Sequence, residues 1–222
     1  MSTSPHAGTP RTELPSLDEV PHPSRWALYH INVYARWLIR RRFDVRLHET
    51  ANIPETGPVV FASNHVGIID GPLLAIFTPR PVHALTKSEM FEHWFLGPFL
   101  RWAGQIPLYR FGSDPAAVKL ALRVLREGNA MGIYPEGTRG AGDLVRFNRG
   151  AAYFALASGA VVVPVTMVGS REPGGAISSL PHKGARIDIV YGEPFAVERV
   201  GWPRTREQVG LVSGLIQKHM QV

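Results

Sequence analysis

The segment SNHVGIIDGP, residues 63–72, sets a histidine and an aspartate five positions apart. Five helical steps of about 100° would leave His65 and Asp70 about 140° apart, out of each other's reach. A loop that leaves a strand and turns into a helix can bring them together. An imidazole bonded to a carboxylate has one tautomer and a stabilised positive form, and its far nitrogen can take a proton from a hydroxyl. Taken alone, the pair also fits a plainer reading, with Asp70 capping a helix and His65 as a polar turn residue.

A second cluster is YPEGTRG, residues 134–140. Its glycines free the turn so that backbone N–H groups can face an anion. Arg139 adds a planar fork that matches phosphate. Glu136 is out of place beside an anion unless it orients an arginine or a ligand hydroxyl. A polar turn with no ligand is the alternative. A third segment, GQIPLYR at 104–110, offers Arg110 as its one chemical group of note.

These residues need elements to carry them. FDVRLHE, Val59–Ala62, VHALT, QIPLYR, AMGIYPEGTRG (running into a Gly-rich turn), AVVVPVTMVGS and ARIDIVYGEP read as strands, the last as an edge strand by its alternation. GPLLAIFT starts a helix, with Pro72 in its first turn and Asp70 near its cap. SEMFEHWFLGPFLRWAG reads as an aromatic helix broken at Gly97-Pro98. SDPAAVKLALRVLREG is amphipathic, capped by Ser113 or Asp114 and ended by Gly128. GAAYFALASG and TREQVGLVSGLIQKHM complete the helices. The β-α-β-α order and continuous Val/Ile runs indicate one α/β domain with a mostly parallel central sheet flanked by helices. Ligands of such sheets bind outside the carboxyl ends of the strands. His65, Arg110 and Glu136 each follow directly on a strand.

Ahead of this domain, residues 1–23 are rich in Pro, Ser, Thr and His and read as a mobile tail. Residues 24–42 read as an amphipathic helix capped by Ser24, mixing Trp26, Tyr29, Tyr34 and Trp37 with arginines; the segment extends to 46. That mixture suits a helix lying in a lipid interface, with arginines on anionic headgroups; a core helix with a basic end is the bland alternative. The division is thus a tail (1–23), an interfacial segment (24–46) and a catalytic domain (47–222).

Lys and Arg outnumber Asp and Glu by 24 to 18, which favours anionic partners. No cysteine is present, so disulfides, thiolate metal sites and cysteine nucleophiles are excluded. No apolar run approaches the roughly 18 residues of a spanning helix, and residues 1–15 lack a signal-peptide core. The chain is expected on a membrane surface rather than across it.

SNHVGIIDGP, GQIPLYR, YPEGTRG and VVVPV at 161–165, in this order, resemble the glycerolipid acyltransferases, nearest to the 1-acylglycerol-3-phosphate branch. The resemblance runs from Leu47 to Phe195 and includes LTKSEMF and the late YGEP. It implies a glycerol-3-phosphate acyltransferase-like fold and transfer of an acyl group from acyl-CoA or acyl carrier protein to the hydroxyl of lysophosphatidic acid or a related lysolipid. It implies His65 as general base and Asp70 as its support. Arg110 and Arg139 would bind the acceptor phosphate, with Glu136, Gly137 and Thr138 in the same pocket. Asn64 is a candidate for positioning the thioester, and a backbone N–H near Val66-Gly67 for the oxyanion. The implied placement is peripheral, on the cytoplasmic face of the cell membrane through residues 24–46. Neither a metal nor a cofactor beyond the co-substrate is expected, and no nucleic-acid motif is present.

Two departures fall near the acceptor site: Gly140 where many relatives have serine, and FNRG where a lysine pair is common. Three rival readings stand beside this one. Ser63 could serve a hydrolase triad, but no G-x-S-x-G elbow surrounds it. His65, Asp70, His83 and Glu136 could ligate a metal, but lack a metal-ligand spacing. The fold could be an inactive binding module, but its HxxxxD motif is intact.

Overall fold

The computed structural model describes residues 17, 20–24, 30 and 32–221. In chain order its elements are helix α1 (Asn32–Arg40), β1 (Asp44–His48), β2 (Val59–Ser63), α2 (Asp70–Phe77), β3 (Val82–Lys87), α3 (Leu96–Trp102), β4 (Ile106–Leu108), α4 (Pro115–Arg126), β5 (Ala130–Ile133), α5 (Gly150–Ser158), β6 (Val161–Val168), β7 (Arg186–Tyr191) and α6 (Arg206–Met220). Short 3-10 turns occupy Thr50–Asn52 and Ser88–Phe91.

The strands form one seven-stranded sheet in the order β1-β7-β6-β2-β5-β3-β4. All neighbours are parallel except β6 and β7. Strand side chains alternate, so each central strand feeds two cores. Val60 and Ala62 join Met131, Ile133 and Val162 under α4, α5 and α6. Val59 and Phe61 face the other way, with Val163, Val165, Ile187 and Ile189, and pack on Leu73, Leu74 and Phe77 of α2. Each such fully buried side chain contributes about 1.5–3 kcal/mol. Two-sided burial explains why these strands read as unbroken apolar runs.

The helix boundaries follow from local chemistry. Asp114, not Ser113, caps α4: its carboxylate accepts from Ala117 N at 3.0 Å. Pro115 occupies the first position. α6 begins with a capping box between Thr205 and Gln208.

Two expectations are corrected. β7 is not an edge strand; β1 pairs along its outer side, from Asp44↔Arg186 to His48↔Val190. Its alternation reflects one polar face, on which Asp188 meets Arg186 and His48. The aromatic segment breaks between the 3-10 turn and α3, at 92–95, and not at Gly97-Pro98. Pro98 lies in the first turn of α3, where its missing N–H costs nothing.

Of the expected helix 24–42, residues 25–29 and 31 fall outside the described residues; Ser24, its expected cap, is described and lies in no helix, and Asn32–Arg40 is helical and buries no side chain. Of the expected tail, Leu17 is fully buried in the core, and its carbonyl accepts from Arg123 Nη1 at 3.0 Å. The expected boundary at 46/47 cuts through β1, whose Val45 is a core residue. Among the described residues no helix is long and apolar enough to cross a membrane.

Candidate active site

β2 and β5 are adjacent and parallel, with Ala62 opposite Ile133. The chains leaving their carboxyl ends therefore emerge side by side, one carrying His65 and the other Tyr134 and Glu136. Residues 64–69 turn from β2 into α2. Ile69 at the helix start has no side-chain cap. Asp70 instead folds back to close the turn.

One oxygen of Asp70 does most of this. Its Oδ2 accepts from Val66 N at 2.7 Å, Gly67 N at 2.8 Å and His65 Nδ1 at 3.0 Å. Asp70 is fully buried, while the His65 side chain is 21% exposed. Facing a carboxylate, Nδ1 carries the proton. The other ring nitrogen, Nε2, is left with a lone pair and has no hydrogen-bond partner among the described residues. A buried anion thus fixes the tautomer and the direction of a partly exposed imidazole.

Three further contacts hold the histidine. Tyr134 stacks on its ring, centroids 4.2 Å apart and planes 24° from parallel. Glu136 Oε1 accepts from the His65 backbone N–H at 2.9 Å, and the His65 carbonyl accepts from Gly140 N at 2.9 Å. Burial pushes the Tyr134 phenol well above its ordinary value, with a smaller push from the Asp70 charge, so it stays protonated. Burial also raises the Glu136 carboxyl, partly opposed by its bond from His65 N. Glu136 is therefore a buried strut between the two motifs.

The 137–140 loop is shaped by close approach. Gly137 has φ +72°, and a Cβ there would meet the Asn148 amide at 2.6 Å. Asn148 in turn gives both its backbone N–H (2.7 Å) and its side-chain NH2 (2.9 Å) to the Pro135 carbonyl. Arg110 Nη1 donates to the Gly137 carbonyl at 2.9 Å and Arg139 Nη1 to the Ile177 carbonyl at 3.0 Å. Arg171 Nη2 donates to the Gly140 carbonyl at 2.9 Å. Three arginines thus border one loop, bound among the described residues only to neutral carbonyls, with donors left for an anion. Thr138 is exposed on the same loop.

Two sequence expectations fail on geometry. The Val66 and Gly67 N–H groups are taken by Asp70 and are not open to an oxyanion. Asn64 gives Nδ2 to the Met167 carbonyl at 3.0 Å and accepts from Met167 N at 2.8 Å. It ties β2 to β6 and does not point a donor at a thioester. Gly67 is required for packing: a Cβ there would collide with the Ser170 carbonyl.

The hydrolase and metal readings fare no better. Ser63 is fully buried, its hydroxyl on the Asn64 carbonyl. His83 is buried within β3, Nδ1 against the Gly104 carbonyl. No cluster of three His, Cys, Asp or Glu able to hold a metal occurs among the described residues. Sequence reasoning missed Tyr134, Asn148 and Arg171. An aromatic at a strand's end, opening the YPEGTRG segment, was the signal for the first; the other two carry none.

An acyltransferase family model matches residues 44–168, more than half of the chain. The chain belongs to the acyltransferase family. Among its relatives is the 1-acyl-sn-glycerol-3-phosphate acyltransferase of Bacillus subtilis (strain 168), 30% identical over 159 residues, covering 71% of this chain and 77% of that one. The protein of the same name from Borreliella burgdorferi is 37% identical over 120 residues, 52% of this chain and 48% of its own. The human beta form is 35% identical over 131 residues, 56% and 45%. This acyltransferase chain thus spans about half the length of the latter two. Its fold matches the crystal structure of the lysophosphatidic acid acyltransferase PlsC of Thermotoga maritima, with TM-score 0.61 at 21% identity over 87% of this chain and 78% of that one.

Proposed function

We propose that this acyltransferase moves a fatty acyl group from a thioester, acyl-CoA or acyl carrier protein, to the free hydroxyl of lysophosphatidic acid. The observation that carries the proposal is the His65–Asp70 pair, with Nε2 unbonded among the described residues at the carboxyl end of a parallel strand. The relatives' names supply the acceptor.

The chemistry asks for little else. An alcohol is a poor nucleophile until a positioned base takes its proton. His65 Nε2 removes the hydroxyl proton as the oxygen attacks the thioester carbon. The resulting imidazolium is held against Asp70. The tetrahedral intermediate then expels the thiolate, which recovers the proton from His65. The thioester is already activated, so neither metal nor cofactor is needed. Arg110 and Arg139 bind the acceptor phosphate in a charge-assisted, bidentate manner, about 1.5–3 kcal/mol per bond. Arg171 joins them by position. The acceptor is a bilayer amphiphile, so the protein works peripherally on the cytoplasmic face, with α1 in the interface.

A panel tests the acceptor and the donor together. Purified protein is given lysophosphatidic acid, glycerol 3-phosphate or lysophosphatidylcholine, each with palmitoyl-CoA or palmitoyl-acyl carrier protein, and the lipid products are resolved. Phosphatidic acid as the main product supports the reading. Preference for an acceptor without a phosphate monoester contradicts it.

A further inference from the structure

A second cationic site lies away from His65. A cleft of about 580 Å³ is lined by Arg40, Arg41, Arg42, Phe43, Asp44, Val45, Lys183 and Gly184. Its four cations come from two places in the chain: the end of α1 and the loop before β7. Gly184 N donates to the Arg42 carbonyl at 2.7 Å, which fastens the two together. The one acid, Asp44, is engaged by Arg46 at 2.8 Å. None of the four cations pairs with a carboxylate among the described residues. The guanidiniums of Arg40, Arg41 and Arg42 lie against the rings of Phe77, Trp37 and Phe43 at 5.4, 4.5 and 5.4 Å. Held over these rings and without a carboxylate partner among the described residues, they have N–H donors for an anion.

The topology fixes where this cleft is. β6 runs with β2, and β7 runs against β6. β1 follows β7. The amino ends of β1 and β7 therefore lie at the same end of the sheet as the carboxyl end of β2, which carries His65. Extending the Val168↔Asp188 register by two residues sets Arg186, and so Asp44, beside Ser170. The cleft stands three strands from β2, about 14 Å sideways. That is too far for the hydroxyl and phosphate of one glycerol phosphate, so the cleft does not serve the acceptor.

We infer that the Arg40–Arg42/Lys183 cleft binds the phosphate headgroup of a second, non-substrate anionic phospholipid of the bilayer and so turns the His65 end of the sheet toward the membrane. The occupant is a lipid because the exposed side chains of Val33, Tyr34, Trp37 and Leu38 lead along α1 to the cleft. A free phosphate has no use for that apolar approach; a headgroup with acyl chains does. The inference rests on the membrane-acceptor reading above, but its test reads binding, not turnover.

The test is flotation of the full chain with phosphatidylcholine vesicles, with and without phosphatidylglycerol. Wild type is compared with Lys183→Gln, Arg41→Gln and the double variant, and with Lys119→Gln, an exposed cation on α4 outside the cleft. The expected result is selective binding to the anionic vesicles, weakened about fivefold by each cleft substitution and unchanged by Lys119→Gln. Lys183 is decisive, since it is remote in sequence from α1 and matters only if the cleft acts as a unit. Loss in Lys183→Gln no greater than in Lys119→Gln overturns the site. So does binding indifferent to phosphatidylglycerol, or equal displacement from both vesicle types by inorganic phosphate, which marks a free-anion site. An inactive protein that still shows the cleft-dependent flotation would fail the acyl-transfer reading and leave this one standing.

Discussion

Asp70→Asn is the most discriminating substitution. The asparagine oxygen can occupy the place of Oδ2 and still accept from Val66 N, Gly67 N and His65 Nδ1. The turn survives and the negative charge is lost. In the proposed mechanism His65 takes the acceptor's proton and becomes a cation beside this group. Opposite charges about 4 Å apart at an effective dielectric near 20 attract by about 4 kcal/mol. Losing that attraction only in the transition state lowers kcat by roughly a thousandfold. The fold loses less, about 1–3 kcal/mol, because three charge-assisted bonds become neutral ones. Thiol release from palmitoyl-CoA in the presence of lysophosphatidic acid measures the first effect and thermal unfolding the second. A folded Asp70→Asn enzyme with near-wild-type kcat would refute the reasoning.

Tyr134→Phe keeps the stack on His65 and should leave kcat near wild type, whereas Tyr134→Ala should lower it by up to about tenfold, the worth of an aromatic pair; steady-state kinetics of both variants decides this. Arg139→Ala should raise KM for the phosphorylated acceptor more than it lowers kcat, losing about 1.5–3 kcal/mol in kcat/KM; an unchanged KM would remove Arg139 from the acceptor site. Gly67→Ala sets a Cβ into the Ser170 carbonyl and should cost about 1–3 kcal/mol of stability, seen as a lowered Tm. Burial raises the Glu136 carboxyl, so the folded state holds its proton more tightly than the unfolded state. Wild-type stability relative to Glu136→Gln should therefore fall as pH rises from the usual carboxylate range through the raised value, and Tm measured against pH for both proteins checks the sign.

Much of the fold was legible where composition and punctuation agreed. β2 and β5 were visible as apolar runs stopped by polar, Gly-rich turns, and α4 as an amphipathic run between Asp114-Pro115 and Gly128. The position of β7 was not legible, because alternation reports that one face is polar, not which neighbour covers the edge. Likewise Gly97-Pro98 looked like a break, yet proline is at home in a first turn. Within the site, spacing suggested that His65 and Asp70 could meet, and they do. It could not show that Asp70 also takes the Val66 and Gly67 N–H groups, or that Asn64 is committed to Met167. Those are long-range or turn-specific bonds set by how β2, β5 and β6 lie together. The Arg40–Arg42/Lys183 cleft was hidden for the same reason, since its two halves are joined only through the sheet.

The central claim is that His65 is the base that activates the acceptor hydroxyl. Its most direct measurement is thiol release from palmitoyl-CoA by wild type and His65→Ala, each with and without lysophosphatidic acid. The account predicts release by wild type only when both substrates are present, and none above background in the variant. Acceptor-dependent release that persists in a folded His65→Ala protein would contradict it.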